Sequence, residues 1–265
     1  MAQRDYKGML EKLLTGFLVE EDPLKAMLEW LAEELMRVEG KVESVTVMVV
    51  YGVDNEGQRE ILAVEPMWEE SEDTWREFMK GLRRRGVTWV GMVISDAHRG
   101  IQAAVKKELL GAVWQRCKVH IMRNILVRVP HKDKAKLAEK IKQIWQQPDR
   151  KSAEKLARLL IEEYESKYPE AMSCLEEGLE DSLQFYNSPE VDKRRISSTN
   201  VLERVNREIR RRSRVVGVFP SVGSYLRLIA SYLMEYTQDW ANEYAYIKPE
   251  RFSQVLESSL VQSAN

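Results

Sequence analysis

Residues 197–214 read SSTNVLERVNREIRRRSR, so Glu203 and Glu208 stand among Arg204, Arg207, Arg210, Arg211, Arg212 and Arg214. An arginine presents a planar fork of donors that matches phosphate oxygens, and a row of them suits a polyanion. A carboxylate in that row repels a phosphate backbone unless a divalent cation lies between. The mixture points to chemistry on a phosphodiester as well as to binding. A second carboxylate, Asp96, closes the apolar run of GMVISDAHRG. Its position alone leaves two readings. It is the N-cap of the following helix, or it is a ligand for a hard cation such as Mg²⁺, which takes one or two carboxylates plus substrate phosphates. Glu203 also has a plain reading, a solvated helix face paired at i,i+4 with Arg207. Val201, Leu202, Val205 and Ile209 form the apolar stripe of that helix; Glu203 lies beside the stripe and Glu208 further round, which favours Glu203 as the inward carboxylate.

Cys117 and His120, in QRCKVHIMRN, stand at i,i+3. Zinc asks for four protein ligands, or three and a water, and His98, His131 and Cys174 have no ligand spacing to this pair. The pair is therefore read as a buried thiol and an imidazole that bonds locally or touches nucleic acid near a strand end. P-loop, Rossmann glycine and GxSxG motifs do not occur.

The elements that must position these residues follow from periodicity. Residues 5–38 read as two helices, the second opening at Asp22-Pro23 and broken at Gly40. Residues 45–53 (VTVMVVYGV) form a β-branched run, and after the turn Asp54-Asn55-Glu56-Gly57 the run 59–64 returns, a hairpin. Residues 71–85 are helical, with Trp75, Phe78, Met79 and Leu82 on one face. A strand over 88–95 ends at Asp96, a helix covers 103–109, and a short strand covers 112–116. Beyond Cys117 the chain is helical to about residue 241, punctuated at Pro130, Pro148, Pro169 and Pro189. Trp75, Trp145 and Trp240 read as core.

The chain has 265 residues, 44% hydrophobic and 31% charged, with net charge −1. Residues 193–214 hold nine Lys/Arg and two Glu, a local charge of +7, so the remainder sums to −8. A local basic patch decides nucleic-acid binding, and the total does not. The two cysteines fit a reducing cytosol, and no window is apolar enough for a membrane span. The expectation is a cytoplasmic, nucleoid-associated chain with no membrane partner.

Three blocks, VISDAHRGIQAAVKKE, WQRCKVHIMRNILVRVP and SSTNVLERVNREIRRRSRVVGVFPS followed by SYLRLIASYLMEY, resemble the bacterial Mutator-type insertion-sequence transposases in order and spacing across about residues 41–248. The resemblance implies an α/β, ribonuclease H-like core: a mixed sheet, hairpin then βαβ, with a large helical insertion. It divides the chain into an N-terminal helical segment (1–39), the core (40–129), the insertion (130–192), catalytic and basic helices (193–248) and a tail (249–265). It implies two divalent metals, Mg²⁺ or Mn²⁺, held by an Asp, Asp, Glu triad. The family's second Asp falls on Asp96 and its Glu on Glu203, in the pattern Asn200-x-x-Glu203; its C-x-x-H falls on Cys117 and His120. The six arginines 204–214 become contacts to DNA phosphates. The implied activity is strand cleavage and transfer at terminal inverted repeats and target DNA. The implied protein partner is a second copy or a full-length transposase subunit.

One part of the family pattern is missing. The first Asp, expected in a stretch like DA-x-Y-x-KVR on the first core strand, has no counterpart, and the helix LEWLAEELMRVE is read as joined directly to the second strand near residues 39–41. One of three metal carboxylates is then lost, with Glu29, Glu33, Glu34 and Asp54 as substitutes that no spacing selects. The sheet also loses its central strand, so the neighbouring strands must leave backbone groups unpaired or pair anew. The alternative function is therefore a catalytically impaired derivative that binds DNA or a full-length transposase as an inhibitor, or one with no function.

Overall fold

The computed structural model describes residues 45–242 and 244–252. The N-terminal helices and the junction at residues 39–41 lie outside them, as do Glu29, Glu33, Glu34 and most of the tail. The β-branched run forms β1 (Thr46–Val53), and β2 (Arg59–Met67) returns antiparallel to it. Asp54 Oδ1 accepts from the Gln58 N–H at 2.7 Å, and Gly57 supplies the positive φ of the turn. That carboxylate is spent on the hairpin turn. Alternation along β1 sorts its side chains: Met48 and Val50 face a cluster with Trp75, Phe78 and Ala104, while Val47 and Val49 face Val205, Ile209 and Ile229. Helices therefore cover both faces of the hairpin.

Helix α1 (Glu72–Arg84) starts at Ser71, whose hydroxyl caps the Thr74 N–H, and buries Trp75, Phe78, Met79 and Leu82. The expected strand over 88–95 is shorter: β3 is Met92–Ser95, and only after Gly91 does the chain enter the parallel ladder with β4 (Val113–Arg116). Helix α2 (Arg99–Glu108) connects the two strands and packs on α1, and the Arg76–Glu108 pair at 2.9 Å joins these helices at their edge.

The structure is α/β, but the expected mixed sheet is not one sheet. Among the described residues β1–β2 and β3–β4 form two separate ladders. No described strand bonds to both β1 and β3, and a ladder crosses from one pair to the other only through such a shared neighbour. The two ladders do share a helical layer, since Val93 and Trp114 join the same cluster as Met48 and Val50.

After β4 come α3 (Lys118–Val127), α4 (His131–Lys142), α5 (Arg150–Tyr164) and α6 (Pro169–Ser182). They enclose their own core around Ile121, Ile125, Leu137, Ile141, Met172 and Leu175. A buried polar bridge fastens β4 to it. Gln115 Nε2 donates to the Ser182 carbonyl at 2.9 Å, the Phe185 N–H donates to Gln115 Oε1 at 2.8 Å, and Trp145 Nε1 donates to Ser182 Oγ at 3.1 Å. A short helix α7 (Lys193–Ile196) leads to α8 (Asn200–Val216), which turns at Gly217 into α9 (Val222–Thr237).

Candidate active site

Parallel strands β3 and β4 end side by side, and the chain ends that follow them build the site. The Cys117 N–H donates to the Ser95 carbonyl at 2.8 Å, which places the start of α3 next to Asp96. The Lys118 N–H donates to the Ser197 carbonyl at 3.1 Å. Thr199 donates to Cys117 Sγ twice, through its N–H at 3.4 Å and its hydroxyl at 3.3 Å. The Glu203 N–H then donates to the Thr199 carbonyl at 2.9 Å, in the first turn of α8. A thiol buried on β4's end thus holds the N-terminus of a helix 82 residues away.

Asp96 is exposed and does not cap α2. The N-cap is His98, without a side-chain cap bond, so the capping reading is corrected and the Asp96 carboxylate is unspent. Glu203 does not pair with Arg207. It faces His120 Nε2 at 3.7 Å and Arg123 Nη2 at 4.0 Å, both from α3. Burial does not separate Glu203 from Glu208, whose side chains are each 31% exposed. Their partners separate them: Glu208 pairs with Arg211 at 2.9 Å on its own helix, whereas Glu203 turns toward the strand ends. Its Oε1 is buried and accepts no hydrogen bond.

His120 reports the electrostatics. Hydrogen bonding to the Cys117 thiol lifts its pKa, burial opposes this, and the negative charges of Cys117, Glu203 and Asp96 add to the rise. Nδ1 of His120 is buried and has no well-aligned hydrogen-bond partner, so its bond to the thiol is bent rather than linear. For Cys117, burial raises the pKa, but donation from His120 and Thr199 more than reverses that and brings the thiol down to about 7. The oxygens available to a cation are those of Asp96 and Glu203. Among the described residues no group of three metal-ligating side chains occurs.

The arginines divide. Arg204, Arg207, Arg211 and Arg214 recur at three- and four-residue spacing and so share one helix face. Arg211 is paired with Glu208, Arg210 donates to the Asn206 carbonyl at 3.2 Å, and Arg212 lies over the Tyr232 ring at 4.1 Å. Arg204, Arg207 and Arg214 make no ion pair or hydrogen bond among the described residues. Asn200 is exposed at the first turn, on the end of α8 nearest the strands. Thr199 and Arg123 were not singled out by the sequence. The i,i+3 step from His120 to Arg123 was a usable sign for one, but nothing local marked the other.

The structure is that of an α/β protein in which a carboxylate at a strand end, Asp96, and one on a neighbouring helix, Glu203, stand beside a row of exposed arginines. The comparisons agree with that class. Residues 27–243 match the family described as Transposase, Mutator family, and the chain belongs to it. It is 33% identical over 244 residues to the transposase for insertion sequence element ISRM5 of Rhizobium meliloti (strain 1021), covering 92% of this chain and 61% of that protein. It is 36% identical over 207 residues to the transposase for insertion sequence element IS256 in transposon Tn4001 of Staphylococcus aureus, covering 77% and 53%. With the IS1081 transposase of Mycobacterium tuberculosis (strain ATCC 25618 / H37Rv) the figures are 34% over 212 residues, 80% and 51%. The chain spans about half to three-fifths of the length of these curated relatives. Among the described residues no helix is long and apolar enough to cross a membrane.

Proposed function

We propose that this chain acts on DNA as an insertion-sequence transposase unit: divalent-metal-dependent strand cleavage and transfer at element ends, on a ribonuclease H-like site that uses Asp96 and Glu203. The observation that carries this reading is geometric: the Cys117 N–H bonds the Ser95 carbonyl beside Asp96, and one turn further along the same helix start His120 Nε2 stands 3.7 Å from Glu203. Two hard oxygen donors, one with a buried and unspent oxygen, fit one Mg²⁺ or Mn²⁺, which readily keeps water and phosphate oxygens as its remaining ligands. Such an ion supplies Lewis-acid charge at a phosphate undergoing in-line displacement.

The chain's own groups do the rest. His120 and Arg123 orient Glu203 and balance its charge until a cation arrives. Thr199 and Cys117 fix the start of α8, so that Glu203 holds its place relative to Asp96. Arg204, Arg207 and Arg214 grip phosphates without regard to base sequence, a contact that weakens as salt rises. Purified protein with duplex DNA carrying element ends and Mg²⁺ or Mn²⁺ should nick the DNA; activity no greater than that of an Asp96→Ala control refutes the reading.

A second reading has its own observation. The described residues bring two carboxylates and no third ligand to the site, and a two-ion clamp needs more. On this reading the chain binds DNA or a full-length transposase subunit and restrains it. Co-expression with an intact relative decides: unchanged transposition frequency and no co-purification rule out the inhibitor.

A further inference from the structure

The corner between α8 and α9 has no role in the site described above. Val215, Val216 and Val218 are 87%, 49% and 64% exposed. The corner is braced from both sides. The Gly217 N–H donates back to the Ser213 carbonyl at 3.2 Å, and Gly217 turns the chain at φ 76° with open space where a Cβ would stand. Phe219 packs edge-on against Tyr225 with centroids 4.8 Å apart, and Ser221 closes a capping box with Ser224. The three valines therefore stay in water and do not fold back onto the core, an arrangement that costs free energy until something apolar covers them.

Charge complementarity says what covers them. The row Arg204, Arg207, Arg211 and Arg214 runs along α8 to this corner, and three of its four members are without a partner among the described residues. A partner that suits both features carries anionic groups in a row and flat apolar faces beside them. A nucleic acid has both, phosphates and base faces, and DNA-bending proteins insert apolar side chains between base steps and unstack them.

We propose that the α8–α9 corner is an unstacking wedge: Val215, Val216 and Val218 enter between base pairs of a duplex whose phosphates the arginine row holds. This rests on reading α8 as the DNA-facing helix. Along the helix Val216 lies thirteen positions beyond Glu203, about 20 Å, a length equal to about six base steps of a duplex.

The test uses the full chain and two fluorescent duplexes, one fully matched and one with a single mismatched pair beside 2-aminopurine. The wild-type chain should prefer the mismatched duplex by about tenfold, which corresponds to about 1.4 kcal/mol of spared unstacking, and should brighten the 2-aminopurine. The variant V215S/V216S/V218S should lose both effects and keep the wild-type dependence of affinity on salt. Val215→Ser alone, at the most exposed position, carries the test if the triple variant melts early. Equal affinity for both duplexes with no change in emission overturns the wedge and leaves the arginine grip standing. Failure to bind either duplex removes the DNA reading itself. If the serine variant keeps the emission change but loses self-association in sedimentation, the corner is an interface between copies and the wedge is wrong.

Discussion

Replacing Gln115 by methionine, which keeps the length of the side chain, tests whether the helical insertion holds the strand end that leads to Cys117. Gln115 is fully buried, and its amide serves both the Ser182 carbonyl at 2.9 Å and the Phe185 N–H at 2.8 Å. Methionine leaves both backbone groups buried and unpaired, at about 1–3 kcal/mol each. It returns about 1 kcal/mol through greater apolar burial. The net loss is about 1–5 kcal/mol, with a middle value of about 3 kcal/mol, and in a protein of this size each kcal/mol lowers the melting midpoint by about 2–4 °C. The expected drop at that middle value is about 6–12 °C, read by far-ultraviolet circular dichroism with tryptophan fluorescence as a second probe. A drop under about 2 °C would mean that other partners satisfy Ser182 and Phe185, and that the bridge does not hold β4 to the helical core.

Glu203→Gln and Asp96→Asn should each lower the titration midpoint of His120, followed by NMR of its ring; no movement in Asp96→Asn would place that carboxylate away from the imidazole. In metal-free protein the Cys117 thiolate should appear with a midpoint of about 7, and Thr199→Val should raise it. Because the folded value lies below the ordinary thiol value of about 8.5, the stability it contributes is present above about pH 8.5 and is lost as pH falls through about 7; denaturant titrations should show that slope in the wild type and not in Cys117→Ala. Arg204→Ala, Arg207→Ala and Arg214→Ala should each reduce the slope of log affinity against log salt by about 0.9 on any duplex, whereas Arg212→Ala should chiefly cost stability, about 0.5–1 kcal/mol. Gly178→Ala should destabilise despite a gain in helix propensity of about 1 kcal/mol, because a Cβ there meets Arg116 and Ile121; a raised melting midpoint would show that both side chains move aside freely.

What the sequence disclosed was local. The β-branched run and turn at Asp54–Gly57 announced the hairpin, the spacing of Trp75, Phe78, Met79 and Leu82 announced α1, and the stripe Val205, Ile209 announced the buried face of α8. Strand β3 was overdrawn because apolar character continues through Val87–Val90 while ladder pairing starts only at Met92. The partners of Glu203 were hidden for another reason. Arg207 sits one turn away and looks like its counterion, but His120 and Arg123 reach it from a helix some eighty residues earlier. The same holds for Arg212: the motif offered six equivalent cations, and a tertiary contact assigns this one to Tyr232, whereas the Arg211–Glu208 pair is local, three residues apart on α8. Side-chain periodicity carries no information about which distant helix end docks where.

The tie between Cys117 and Thr199 also sets an order of events during synthesis. The helices from α3 to α6 enclose their core from sequence-near pieces and can form early, while a link across 82 residues must wait for its far end. A nascent chain halted before Ser197 therefore carries Cys117 without the two Thr199 donors, and a chain whose Glu203 has cleared the ribosome carries it enclosed. Accessibility of this one thiol to an alkylating reagent becomes a clock for the closing of the site on the ribosome.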